Sequence, residues 1–129
     1  DGFQPLGLAA FFGQADIVEF LLSKGANVNS ASNNKMRVRP LHSSVASKDL
    51  AISAMLLKHG ADVNATQADD FAPLHEAAQN GQIEMVELIL KYKPDLNARK
   101  TDGQTPLAIA IEYKHDDVAE LLKRHGAIL

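Results

Sequence analysis

The chain has 129 residues, 46% hydrophobic and 22% charged, with no cysteine and no tryptophan, which fits one soluble domain of ordinary size. Without cysteine there is no disulfide framework, thiolate nucleophile or cysteine-ligated metal, and no apolar run approaches the roughly 20 residues of a membrane span. Thirteen Lys and Arg against sixteen Asp and Glu leave a net charge of -3, too balanced for a general attraction to nucleic acid or anionic membrane. The start, Asp1-Gly2-Phe3-Gln4-Pro5, lacks the basic and apolar regions of a signal peptide. The compartment is left open, with an intracellular one favoured.

The first predicted helix opens at Pro5-Leu6, because proline has no N–H to lose at the first helical position, and Gly13 ends it. Asp16 to Leu22 places apolar residues at i, i+1, i+4 and i+5, the pattern of an amphipathic helix about ten residues long. Gly25 closes that helix in the left-handed conformation, and an extended, Asn-rich segment begins with Ala26-Asn27-Val28-Asn29. Pro-Leu then returns at Pro40, Pro73 and Pro106, spaced by 35, 33 and 33 residues. The paired apolar step returns with it, as Leu56-Leu57, Ile89-Leu90 and Leu121-Leu122, and so do the landmarks Gly60, Lys93 and Gly126. Four phased copies of several landmarks predict a stacked repeat.

Three departures from the phase carry expectations. The two extra residues between Pro5 and Pro40 fall within Ser32 to Arg39, so the first projecting loop is expected to be longer or bulged. Lys93-Pro94 replaces Gly-Ala at the end of the third copy. A lysine there must accept unfavourable backbone geometry or the helix must end differently, and a distorted third loop is expected. In the last copy Lys123 takes the second apolar position and the chain closes at Ile128-Leu129, the polar finish a terminal repeat needs. The apolar opening helix, with Phe11 and Phe12, leads us to expect at least one more helix or repeat upstream in the natural protein.

Pro73-Leu74-His75-Glu76-Ala77-Ala78 through Gly81, Asp102-Gly103-Gln104-Thr105-Pro106-Leu107, and phrases such as Gly60-Ala61-Asp62-Val63-Asn64 together resemble ankyrin repeats. The resemblance covers the whole chain and implies an all-α solenoid of helix-turn-helix units with projecting β-hairpin-like fingers. The units fall at about residues 1–31, 32–66, 67–99 and 100–129 of one domain, expected to be part of a longer protein. The family usually binds partners on the concave surface of fingers and first helices. It typically uses a histidine after Pro-Leu, here His42 and His75, to hydrogen-bond between neighbouring fingers. The threonine that caps the first helix survives only as Thr105, with Gln4, Arg39 and Ala72 elsewhere, and each weak cap costs on the order of 1 kcal/mol.

Chemistry leaves few traces. There is no Gly-rich phosphate loop, no G-x-S-x-G elbow and no H-E-x-x-H helix. His59 and His125 precede helix-ending glycines, where a cation is favoured, and His115 opens a second helix. Asp69-Asp70 and Asp116-Asp117 read as solvated or capping charges, and Asn64-Ala65-Thr66 spells a glycosylation sequon by coincidence. No catalytic residue, metal site or cofactor is expected, and the chain is not expected to be an enzyme.

The repeat register places candidate partner-binding residues on the fingers and the groove side of the first helices. They are Phe3, Phe11 and Phe12 in the first copy, and Lys35, Met36, Arg37, Val38, Arg39 and Ser47 in the second. The third adds Asp69, Phe71, Gln79 and Asn80, and the fourth Asp102, Gln104, Glu112 and Tyr113. Aromatic anchors beside arginine suit a protein-binding hot spot. The competing reading packs Phe11 or Phe12 on an upstream repeat and Phe71 on its neighbouring finger. The four copies carry -2, +3, -3 and -1 in turn, so a basic finger stands beside an acidic one. The expected function is to hold a protein or peptide partner as a monomeric domain, without a small-molecule substrate and without a nucleic-acid ligand. The alternative is a regulatory or substrate-recruiting domain cut from a larger enzyme or secreted effector.

Overall fold

The computed structural model describes residues 4–129, so Phe3 lies outside the described residues. Among the described residues eight α-helices follow one another: α1 (Pro5–Phe11), α2 (Ala15–Ser23), α3 (Pro40–Ala46), α4 (Leu50–Lys58), α5 (Pro73–Asn80), α6 (Ile83–Leu90), α7 (Pro106–Glu112) and α8 (Asp116–Arg124). Each repeated proline stands at the first helical position. Helices of seven to nine residues are too short to hold themselves in water, so their stability comes from packing. Within each unit the first helix packs on the second, the first helices stack as α1, α3, α5 and α7, and the second as α2, α4, α6 and α8. This is the all-α repeat solenoid that the phase predicts.

The core repeats with the sequence. Leu6, Leu41, Leu74 and Leu107 share one register position and all are buried. Three copies later in the same helix carry Ala9, Ala77 and Ala110, also buried, and these small side chains let adjacent first helices approach. The second copy has Ser44 there, whose hydroxyl is 2.6 Å from that of buried Ser53, so both polar groups are satisfied. Leu56, Ile89 and Leu122 fill the interior of the second layer.

The loops are tied by a ladder of asparagines. The Asn29 Oδ1 accepts the Asp62 N–H at 2.7 Å, Asn64 that of Asp95 at 2.8 Å, and Asn97 that of Ile128 at 2.9 Å. The amide of the apparent sequon is thus a rung of this ladder. In the second and third fingers the backbone pairs close over three residues, Gln67 N–H to Phe71 O and Lys100 N–H to Gln104 O, both at 3.0 Å. The first finger closes from Ser32 N–H to Val38 O at 2.8 Å, two residues longer, as the spacing predicts.

The third finger is not distorted, contrary to expectation. Lys93 itself takes the left-handed conformation, with φ 54°, so the chain beyond it keeps its course. Asn97 N–H reaches Asp95 Oδ1 at 3.0 Å as Asn64 N–H reaches Asp62 Oδ1 at 2.9 Å. Lys48 and Lys114 behave alike, at φ 63° and 61°, where other copies have glycine. A non-glycine residue in this region costs roughly 1–2 kcal/mol, partly offset by the larger unfolded-state entropy of glycine. Lys93→Gly is therefore expected to raise stability by a few tenths to about 1 kcal/mol, read as a higher urea midpoint; a lower midpoint would contradict the strain.

Candidate functional site

The face that carries the fingers is organised by two buried histidines. The ring Nδ1 of His42 accepts the Arg39 N–H, and that of His75 the Ala72 N–H, both at 3.0 Å. Their protons therefore lie on Nε2, which donates to Ala65 O at 2.7 Å in one copy and to Ala98 O at 2.9 Å in the other. The histidine at the third helical position thus satisfies a helix-start N–H in the two copies whose cap residue is Arg or Ala, and in the same gesture joins consecutive fingers. Thr105 performs the capping in the fourth copy, accepting the Ala108 N–H at 3.2 Å and donating to Ile128 O at 3.0 Å. Burial holds both histidines below the ordinary pKa, against the opposing pull of their carbonyl partners. Both are structural groups.

Above this frame lies a recess of about 360 Å³ between the fingers and α5. It brings together four of the residues expected from the sequence, Met36, Asp69, Phe71 and Gln79, with four that were not, Gln67, Ala68, Glu76 and Lys100. Phe71 stacks on the His75 ring at 5.9 Å and carries the Lys100 Nζ at 5.2 Å from its centroid, so it packs within its own fingers. Lys100 also approaches Asp102 at 3.6 Å. Asp102 accepts the Gln104 N–H, the main cause of its lowered pKa. The Glu76 carboxyl is half-buried, and desolvation alone raises its pKa. Its register position is occupied by Ser43 and Ile109 in the flanking copies, both buried. A charge at a register position where the flanking copies carry Ser43 and Ile109 was the signal available in the sequence.

The remaining candidates spread along the same face. Lys35 and Arg37 are exposed at the tip of the first finger, and Met36 is 51% exposed. Arg39, by contrast, is half-buried and donates to Asn29 O at 3.1 Å and Thr66 O at 3.2 Å, so it ties two fingers together rather than reaching outward. Val38 is half-buried through the backbone pair with Ser32. Ser47 Oγ donates to Ser44 O, and Asn80 Nδ2 to Val45 O. Gln104 Nε2 donates to Glu112 at 2.6 Å, and Tyr113 stacks on His115 at 6.5 Å. Phe11 and Phe12 lie edge to face at 5.1 Å, at the α1 end and distant in sequence from the recess; they are 51% and 67% exposed. A larger recess, about 640 Å³, lies across the second helices and is lined by Leu50, Ala54, Leu88 and Leu90 with Glu84 and Lys91 among others.

Among the described residues no three His, Asp or Glu side chains gather in a group able to hold a metal ion, and no helix is long and apolar enough to cross a membrane. Stacked helix pairs joined by hydrogen-bonded fingers define a helical repeat solenoid. The chain belongs to the ankyrin repeat family, whose model, described as ankyrin repeats in three copies, matches residues 1–67 and 65–128. Ankyrin repeats generally mediate protein–protein interactions, and the family is typically non-catalytic.

Two curated proteins are similar over part of the chain. The RelA-associated inhibitor of Mus musculus is 43% identical over 56 residues, 43% of this chain and 7% of that protein. Alpha-latrocrustotoxin-Lt1a of Latrodectus tredecimguttatus is 36% identical over 64 residues, 50% of this chain and 4% of that protein. The matches therefore span only a small part of either relative.

Proposed function

We propose that the face formed by the fingers and first helices binds a protein or peptide partner, acting by presenting prearranged side chains and without catalysing a reaction. The observation that carries this reading is the recess at the fingers, where exposed Met36, Asp69 and a half-buried carboxyl meet on a frame held by inter-finger hydrogen bonds. A rigid frame lowers the entropy lost on binding. Protein association is also what the name of one relative describes, the RelA-associated inhibitor. A recruiting role within a larger enzyme or secreted effector is the second reading. It is supported by the small share of each relative that the matched segment occupies.

The exposed cations of the first finger supply the steering charge. With a partner captured by the folded domain, Arg37→Glu is expected to lower the association rate about threefold to tenfold at low ionic strength, with less change in dissociation. An unchanged association rate would remove this finger from the site. Arg39 is unsuited to the same test, because its loss would leave Asn29 O and Thr66 O without their donor.

A further inference from the structure

From the geometry of the recess we infer that it is a pocket for one basic side chain of the partner, an arginine, received by Glu76 with Asp69 beside it. The inference deepens the groove reading above and rests on it.

The cavity lies between the three fingers and α5, and its lining combines two carboxyl groups, Glu76 and Asp69, with the amides of Gln67 and Gln79. Met36, Ala68 and Phe71 form the apolar part of the wall. Such a lining suits a side chain with an aliphatic stem and a charged, multiply donating head. Lys100, the cation among the described residues of the wall, is already engaged by Asp102 and by the ring of Phe71. Burial raises the Glu76 pKa, the direction a carboxyl group takes when desolvation outweighs attraction from nearby cations. Among the described residues Glu76 makes no hydrogen bond or ion pair, whereas Glu112, farther along the same face, accepts from Gln104 at 2.6 Å.

A half-buried carboxylate without a partner is costly in the unbound protein and is repaid when a cation reaches it. Two carboxyl groups are too few for a protein-only metal site, and no third ligand gathers with them among the described residues. A guanidinium is the better fit than an ammonium, because its planar fork can meet a carboxylate and neighbouring amide oxygens together.

The test is a selection of randomised 12-residue peptides displayed on phage against the folded domain, followed by affinity measurements with the enriched peptides. The expected result is enrichment of arginine at one fixed position, with loss of affinity of about tenfold or more when the protein carries Glu76→Gln. Thermal unfolding of that variant should be unchanged or shifted upward, which separates lost binding from lost folding. Glu76→Lys should reverse the preference, so that the peptide with glutamate in place of the arginine binds better than the original. Peptides that bind the groove, compete with one another and respond to Arg37→Glu but lack a fixed basic residue would overturn this inference alone. Failure to select any groove-binding peptide would overturn it together with the peptide-binding reading.

Discussion

Gly81→Ala is expected to cost about 2–4 kcal/mol of folding stability, far more than a single methyl group on a surface turn would suggest. Gly81 ends α5 in the left-handed conformation, with φ 67°. The backbone alone does not demand glycine, because Lys48 and Lys114 hold the same register position at φ 63° and 61°. The demand comes from His115, whose imidazole lies where the new Cβ would stand. That ring is fixed on its other side, donating from Nε2 to Gln79 O at 3.0 Å and stacking on Tyr113. Alanine therefore adds about 1 kcal/mol of left-handed strain to the displacement of an anchored ring. Gly60→Ala is the control, since its Cβ would meet nothing within 4 Å and only the strain applies. Urea denaturation of the two variants checks the argument, and equal losses would show that His115 moves aside at no cost.

His75→Leu is expected to lose roughly 3 kcal/mol, because each buried polar group left without a partner costs about 1–3 kcal/mol. The ring accepts the Ala72 N–H and donates to Ala98 O at 2.9 Å and Gln104 O at 3.2 Å. These bonds join the third unit to the finger that leads into the fourth, so hydrogen exchange should show the α7–α8 unit opening first. The same histidines make the protein acid-sensitive. Burial lowers the folded pKa of His42 and His75 below 6.5, so at mildly acid pH the unfolded chain binds more protons than the folded one. Their contribution is complete above about pH 6.5 and is lost as pH falls below it, at up to about 1.4 kcal/mol per pH unit for each ring. Glu76 acts in the opposite sense, since burial raises its folded pKa and acid relieves the buried charge. Unfolding free energies at pH 7.5 and pH 5.5 should therefore differ less in His75→Leu than in the parent protein. An equal difference would assign the acid response elsewhere.

The helices were legible because their signals are local. Proline at the start of the first helix in each unit, glycine or lysine after each helix and apolar pairs in the second recur within a few residues of one another, and the eight helices among the described residues follow these signals. The longer first finger was legible for the same reason, as a surplus of two residues between repeated prolines. The third finger was misread because the cost of a left-handed lysine was assumed to spread, whereas Lys93 absorbs it in one residue. The missing cap threonines were read correctly as absences. The histidine three residues further on takes over the N–H of the cap residue itself.

The candidate site divides along the same line. The repeat register was enough to bring Met36, Asp69, Phe71 and Gln79 to one recess, since register fixes which positions of a finger or helix face the groove. It missed Glu76 and Lys100 and turned Arg39 outward, although that side chain bridges two fingers. The sequence by itself determined the repeat, its phase and the face that each position occupies, because propensity, capping and periodicity act within one unit of about 33 residues. Only the tertiary structure decided which charged groups are desolvated, which are already paired and which rings are wedged against a glycine. Those outcomes depend on partners in the next unit, as with His75 and Ala98, 23 residues apart, or His115 and Gln79, 36 apart. A stacked fold sets its electrostatics at the junctions between units, where no single copy of the repeat contains both partners.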